Sequence, residues 1–293
     1  MSTVTVVQDI SREEFYDSFV RKKQPVVIKG VASKWAATEK WDLRYFSEVG
    51  KDLHVNVKKG NVAKGQRDTV KLDEYCRLLQ QYWDAPAKIN GSAPLPYLHD
   101  IPIFHLLPAL TKDIDNFPLK YLPEWYWNKW WNYIQFFMGG CNSLTPLHFD
   151  TLYTHNLFFQ ITGKKKFLLI PGKQGKFCYI YNWRWSPVDP DKPDYGTYPL
   201  FQKAACMQVV LEPGDMLYIP PGMLHQVHGL SFSISFNIDW HTTTSVTKGL
   251  FSFLRGAPAA NIYYNFLIAL GLFFKIPSKY ILPYYKSYLN YIS

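Results

Sequence analysis

The run Ser231-Phe-Ser-Ile-Ser-Phe-Asn-Ile238 alternates without a break. Successive side chains of a β-strand point to opposite faces, so Phe232, Ile234, Phe236 and Ile238 share one face and Ser231, Ser233, Ser235 and Asn237 the other. The apolar face needs a core, and the face of small polar groups suits a wet cavity. Upstream, residues 136–138, 156–161, 165–170, 207–211 and 216–219 repeat this scale of short apolar strand, separated by turns that carry Gly or Pro. Thr162-Gly163-Lys164 reads as a tight hairpin and Pro213-Gly214-Asp215 as a second turn, glycine supplying the positive φ that other residues resist. Many short strands with such turns mean an all-β barrel or sandwich.

Ahead of the strands lies a mixed α/β lead-in. Ser11-Arg-Glu-Glu14 is a capping-box pattern, Pro25-Val-Val-Ile-Lys-Gly30 a strand ended by glycine, 41–49 a helix and 53–57 another strand. Leu72, Tyr75, Cys76, Leu79, Tyr82 and Trp83 recur at helical spacing, and 84–96, rich in Ala, Pro and Gly, reads as a loop. The aromatic stretch 121–133, with Trp125, Tyr126, Trp127, Trp130 and Trp131, either packs on the outside of a sheet or lines a substrate groove.

The 293 residues are 47% hydrophobic and 19% charged, with 20 Phe, 21 Tyr and 10 Trp, a composition that excludes a disordered chain. Cys76, Cys141, Cys178 and Cys206 lie far apart and form no C-x-x-C pair, so reduced thiols are expected. The N-terminus has neither a basic region nor a sustained apolar run, and a cytoplasmic setting is the expectation. The net charge of +9 suits nucleic acid, a membrane surface or an acidic partner, and does not choose among them. From His241 to Ser293 there is no Asp or Glu, whereas Lys248, Arg255, Lys275, Lys279 and Lys286 fall there. Residues 262–274 are almost wholly apolar but too few to span a bilayer, for which about 20 are needed. Such a helix should be buried, against a second copy, its own barrel or an anionic membrane.

Chemistry concentrates in Thr145-Pro-Leu-His148-Phe-Asp150, where a histidine and a carboxylate two apart would share a strand face. A second histidine, His225, follows a Gly-Asp-x-x-x-x-Pro-Pro-Gly signal. Two imidazoles and one carboxylate on one side of a metal leave its other positions open, the arrangement of non-haem Fe(II) oxygenases. His54, His99, His105, His155 and His241 read as ordinary core or surface groups, while His228, close to His225 but of opposite parity on a strand, stays open. A zinc hydrolase also uses two histidines and a carboxylate, and a cupin-like binding protein would keep the barrel without turnover.

These segments, with Asn156-Leu-Phe-Phe-Gln-Ile-Thr-Gly-Lys-Lys165, Gly214-Asp-Met-Leu-Tyr-Ile-Pro220 and Ser235-Phe-Asn237-Ile-Asp-Trp240, resemble the jumonji C (JmjC) family of cupin-like oxygenases. More narrowly they are similar to its small hydroxylase branch, that of the hypoxia-inducible-factor asparaginyl hydroxylase and the tRNA wybutosine hydroxylase. The resemblance implies a mainly β fold, a double-stranded β-helix (jelly-roll) over 97–241, with an N-terminal α/β region over 1–96 packed on it and C-terminal helices over 242–293 that form a homodimer. It implies Fe(II) on His148, Asp150 and His225, with 2-oxoglutarate and O2 as cosubstrates. Lys165 matches the lysine that pairs with the distal carboxylate of 2-oxoglutarate, Thr145 and Tyr97 the hydroxyls on that carboxylate, and Asn156 and Asn237 amides nearby. Alternation supports Lys165, because it faces opposite to Lys164 and Lys166 and so can enter the barrel alone. Hydroxylation with release of succinate and CO2 is implied, on a protein side chain first, a modified tRNA base second and a small metabolite third. The aromatic stretch near Trp125 and the excursion from Tyr179 to about Pro199 are the expected rim for a large substrate.

Overall fold

The structure is a computed structural model and describes residues 1–84 and 95–292. Its strands form two sheets. The smaller runs in the order β1 (Ser2–Thr3), β11 (Met207–Leu211), β10 (Lys165–Ile170), β13 (Leu224–Gly229) and β8 (Leu144–His148). The larger runs β2 (Thr5–Val7), β3 (Val26–Ile28), β12 (Met216–Ile219), β9 (His155–Thr162), β14 (Ser233–Trp240), β7 (Ile134–Gly139), β6 (Tyr97–Ile101), β4 (His54–Lys58) and β5 (Arg67–Lys71). Strands β7 to β14 make the barrel: β7-β14-β9-β12 face β8-β13-β10-β11, with every neighbour antiparallel. That pairing, in which first and last strands meet in one sheet and second and seventh in the other, is the jelly-roll form of the double-stranded β-helix.

Alternation along β14 holds throughout. Ile234, Phe236, Ile238 and Trp240 are fully buried on the outer face of the large sheet, while Ser233, Ser235, Asn237 and Asp239 turn into the barrel. Phe236 is ringed by Trp35, Phe159 and Phe104, with ring centroids 5.9, 5.1 and 5.8 Å away. The β9–β10 hairpin turns at Gly163, whose φ is +71° and where a side chain would collide with the carbonyl of Phe232.

The lead-in continues the sheets by hydrogen bonding: β3 pairs with β12, β6 with β7, and β1 lies parallel on β11. Helix α1 (Arg12–Glu14), capped by Ser11, runs into a π-helical turn over Phe15–Val20. The helix expected over 41–49 is α3 (Leu43–Val49), and a further short helix, α2 (Ala36–Lys40), precedes it. Trp41 between them is extended, its indole donating to Asp113 at 3.0 Å, and Asp42 caps α3 by accepting the Tyr45 N–H, a role for which Asp is better suited than for a helix interior. Helix α4 (Leu72–Asp84) matches the spacing read from the sequence; of the loop read over 84–96, residues 85–94 lie outside the described residues. A short helix α5 (Ile103–Leu106) follows β6.

The aromatic stretch packs on the outside of the large sheet and supplies no lining to the site described below. Trp130 stacks on Phe117 at 3.8 Å, Tyr126 accepts the His241 backbone N–H, and the Trp125 indole donates to the carbonyl of Ile276. Three helices close the chain on that side: α6 (Thr243–Leu250), α7 (Ala259–Phe274) and α8 (Ser278–Ile292). Helix α7 buries one face on the chain itself and leaves the other exposed. Tyr264, Leu267, Ile268 and Gly271 face the chain's own core, but Ile262, Tyr263, Phe266, Phe273 and Phe274 are exposed. No helix among the described residues is long and apolar enough to cross a membrane.

Candidate metal centre and anion pocket

His148 and His225 sit opposite each other on the paired strands β8 and β13. Their ring centroids are 4.3 Å apart, and each presents Nε2 to Asp150 Oδ1, at 4.0 Å and 3.5 Å. One ligand atom from each residue lies within 4.8 Å of the others. Both Nδ1 atoms face a carbonyl two residues back, Pro146 at 2.8 Å and Met223 at 3.2 Å. A carbonyl only accepts, so each Nδ1 carries the proton and each Nε2 keeps its lone pair for a metal. Burial, with His225 and Arg184 nearby, holds the pKa of His148 well below the usual imidazole value, so it stays neutral.

Asp150 departs from the geometry read in the sequence. Strand β8 stops at His148, so the carboxylate stands two residues beyond the ladder in a turn closed by Tyr153 N–H to Asp150 C=O at 3.0 Å. Its Oδ2 accepts from Asn156 Nδ2 at 3.3 Å. The triad read from the sequence is thus brought together, by a different local route. His228 points outward to Gln226.

Behind the triad a narrow inner cavity is lined by Tyr97, Thr145, Asn156, Lys165, Phe158 and Asn237. All five residues expected around a dicarboxylate therefore border one space. Lys165 is 1% exposed, and Lys164 and Lys166 on either side reach out to Glu212 and Asp191. Its ammonium donates to Tyr97 Oη at 3.0 Å and Ser235 Oγ at 2.7 Å, with the rings of Phe137, Phe158 and Tyr97 centred 5.2 to 5.5 Å away. Among the described residues no carboxylate stands within ion-pair distance of it, and burial pulls its pKa down to about 7. A buried cation without a counterion is costly, and an incoming anion removes that cost.

Two residues were missed. Ser235 was visible on the polar face of β14 but not as a partner of Lys165, which lies across the barrel. His99 was set aside as an ordinary core histidine. Its Nε2 is 3.1 Å from Thr145 Oγ1 and its Nδ1 is 2.8 Å from Asp100 Oδ2, which also pairs with Lys58 at 3.2 Å. A bulge in β6, with Asp100 at φ +62°, turns these consecutive residues to the same side. Burial lowers His99 to about 4, so it is neutral; the Asp100 carboxylate favours the proton on Nδ1, and Nε2 accepts a hydrogen bond from the Thr145 hydroxyl. Tyr97 and Ser235, which accept from Lys165, keep their own protons for an anion.

Toward solvent the triad opens into a basin of about 240 Å³ bordered by Lys58, Arg67, Asp100, Asp239, Trp183 and Arg184. The excursion after β10 forms part of this rim. Its residues run along the free edge of β8, with Ser186 N–H on Leu147 C=O at 2.8 Å, and Trp185 stacks on His148 at 4.8 Å. At the basin floor Asp239 accepts from Gln135 and Asn237 amides, and burial beside Asp150 and Asp100 raises its pKa well above the carboxylate range.

The sequence profile of the family described as Cupin-like domain matches residues 11–245. Jumonji C domain-containing protein 5 of Drosophila melanogaster is 29% identical over 241 residues, 77% of this chain and 57% of that protein. tRNA wybutosine-synthesizing protein 5 of Homo sapiens is 27% identical over 256 residues, 80% of this chain and 76% of that protein. Lysine-specific demethylase JMJ30 of Arabidopsis thaliana is 28% identical over 246 residues, 79% of this chain and 53% of that protein. The chain therefore spans little more than half the length of the jumonji and demethylase relatives.

Proposed function

This chain belongs to the cupin-like JmjC family, and from that premise we propose that it is an Fe(II)- and 2-oxoglutarate-dependent oxygenase that hydroxylates a polar side chain of a protein. The observation that carries the reading is Lys165: a buried ammonium without a carboxylate partner among the described residues, in a cavity that opens onto two imidazoles and a carboxylate. A zinc hydrolase has no use for that cation. His148, Asp150 and His225 would hold the metal; Lys165, Tyr97 and Ser235 would hold the distal carboxylate, and Thr145 would hold its place through His99. Bound there, Fe(II) and 2-oxoglutarate supply the oxidising power, O2 being consumed as the cosubstrate goes to succinate and CO2 and a substrate carbon is hydroxylated.

The chain's own work is positioning and exclusion. Phe137, Phe158 and Tyr97 wall the cation from water, so an anion that reaches it is held by undiluted charge. Lysine donates to Tyr97 and Ser235 oxygens, which orients both hydroxyl protons toward the anion. Asn156 holds Asp150 through Oδ2 and leaves Oδ1 for the metal.

The basin supports a polar target. Lys58, Arg67, Arg184, Asp100 and Gln135 would lose hydration against an alkyl chain, whereas a side chain bearing hydrogen-bonding groups replaces it. A modified tRNA base is the second reading, favoured by the similarity to the wybutosine protein and by the net charge of +9. For the exposed face of α7 the proposed partner is a second copy.

The test is aerobic conversion of 2-oxoglutarate to succinate with Fe(II), followed by mass spectrometry of a protein extract and a tRNA pool treated in parallel. The expected result is succinate formation lost in Asp150→Ala, and a gain of one oxygen in protein. Oxygen gained in tRNA alone would replace the substrate class, and wild-type turnover by Asp150→Ala would refute the metal assignment.

A further inference from the structure

We infer that helix α7 belongs to the metal centre and that Asn261 is a positioning residue for the loop carrying Asp150. The inference rests on the metal reading above and adds to it a residue from a segment whose sequence suggested burial against a second copy, the barrel or a membrane. Three observations converge on it.

The first is that the sheet does not place Asp150. His148 and His225 are fixed by the ladder between β8 and β13, but the chain leaves β8 at His148 and turns through Phe149 to Thr154, with Tyr153 at φ +63°. A ligand in a turn needs support from elsewhere, because a turn's backbone groups are not all met by its own hydrogen bonds.

The second is where that support comes from. Asn261, in the first turn of α7, donates from Nδ2 to the carbonyl of Thr151 at 2.7 Å, across 110 residues of sequence. Thr151 directly follows Asp150 and borders the basin. Since a carbonyl only accepts, the amide's NH2 must face it, which leaves Asn261 Oδ1 without a partner among the described residues.

The third is the cost of having an amide there. Asn261 is 0% exposed on a helix whose buried side otherwise carries Tyr264, Leu267, Ile268, Ala269 and Gly271 with a second amide, Asn265. Packing alone would favour an apolar residue, since a buried amide with an unmet oxygen costs stability. One turn on, Asn265 is equally buried and donates to the Asn261 carbonyl at 2.8 Å, and its side chain sits against Gly249 of α6, where any Cβ would collide. The contact at Gly249 packs α7 against α6. Asn265 reaches no residue of the metal centre, which makes it the natural control.

The experiment measures Mn(II) affinity by the free-ion EPR signal, on the full chain, with thermal midpoints recorded alongside. Asn261→Ala removes the donor, and Asn261→Ser keeps a compact polar group one atom too short to reach Thr151, which covers the case in which the alanine variant folds poorly. Both are expected to weaken Mn(II) binding about tenfold, the low end for loss of an outer hydrogen bond at a metal site. Asn265→Ala should lower the thermal midpoint by a similar amount and leave Mn(II) affinity at the wild-type value. Wild-type affinity in a folded Asn261 variant would overturn the inference, and so would an equal loss in Asn265→Ala, which would make the effect one of helix packing. Failure of the wild-type chain to bind Mn(II) would overturn the metal reading itself, a result distinct from either.

Discussion

Binding of 2-oxoglutarate should draw a proton into the protein. Burial holds Lys165 at about 7 in the free protein, so at pH 8 about nine in ten of these side chains are neutral. The dicarboxylate binds the ammonium form and raises its pKa in the complex. Affinity is therefore fully present below pH 7 and falls as pH rises through 7 toward the pKa of the complex. The weakening factor 1 + 10^(pH − 7) is about 2 at pH 7 and about 100 at pH 9, so affinity should drop about 50-fold over that range. Other groups near the cation stay out of the window: His99 lies at about 4 and burial lifts the Tyr97 phenol far above its usual value. Titration calorimetry of Mn(II)-loaded protein at pH 8, in buffers of differing ionisation enthalpy, should report uptake of about 0.9 proton per ligand. Lys165→Met should bind weakly and take up none. An affinity flat from pH 7 to 9 with no proton uptake would refute the reasoning.

Three further outcomes follow from the same geometry. Ser235→Ala removes one hydroxyl from the Lys165 ammonium and one donor from the anion, and should weaken 2-oxoglutarate about tenfold, on the order of 1.4 kcal/mol, by calorimetry. Phe236→Ala empties the centre of the outer aromatic core and should cost about 3–5 kcal/mol in urea unfolding without altering metal stoichiometry in the folded fraction. If the exposed face of α7 meets a second copy, light scattering should give a dimer that Phe266→Lys converts to a monomer, and a wild-type monomer would remove that partner.

Much of the fold was legible because short apolar runs are cut by Gly- and Pro-bearing turns and because β14 alternates. The parity of β14 and the odd member of the Lys164-Lys165-Lys166 run each follow from the two-residue period, and both hold in the structure. Strands β8 and β13 were harder to read, since Pro146, His148, His225 and Gln226 dilute the apolar signal where the chemistry sits. Parity also fails where the backbone leaves the strand geometry. Asp150 stands in a turn, and the bulge at Asp100 turns two consecutive residues inward, so neither the carboxylate's support nor the role of His99 follows from spacing. The start of α3 at Leu43, after Trp41, was foreseeable from Asp42, a better helix cap than interior residue. Asn261 and Asn265 left a signal too: two amides one turn apart in a run otherwise apolar. What no local pattern carries is the partner of each, Ser235 for Lys165 across the barrel or Thr151 for Asn261 across 110 residues.

The central claim is that His148, Asp150 and His225 hold a metal beside the buried cation that receives a dicarboxylate. Its most direct test is the 2-oxoglutarate dissociation constant of the wild-type chain, measured with one equivalent of Mn(II) and again after the metal is removed by chelation. The account expects one ligand per chain, bound at least tenfold more tightly with the metal present, a difference that His225→Ala abolishes. Equal affinity with and without Mn(II), or a metal effect that survives His225→Ala, would contradict it.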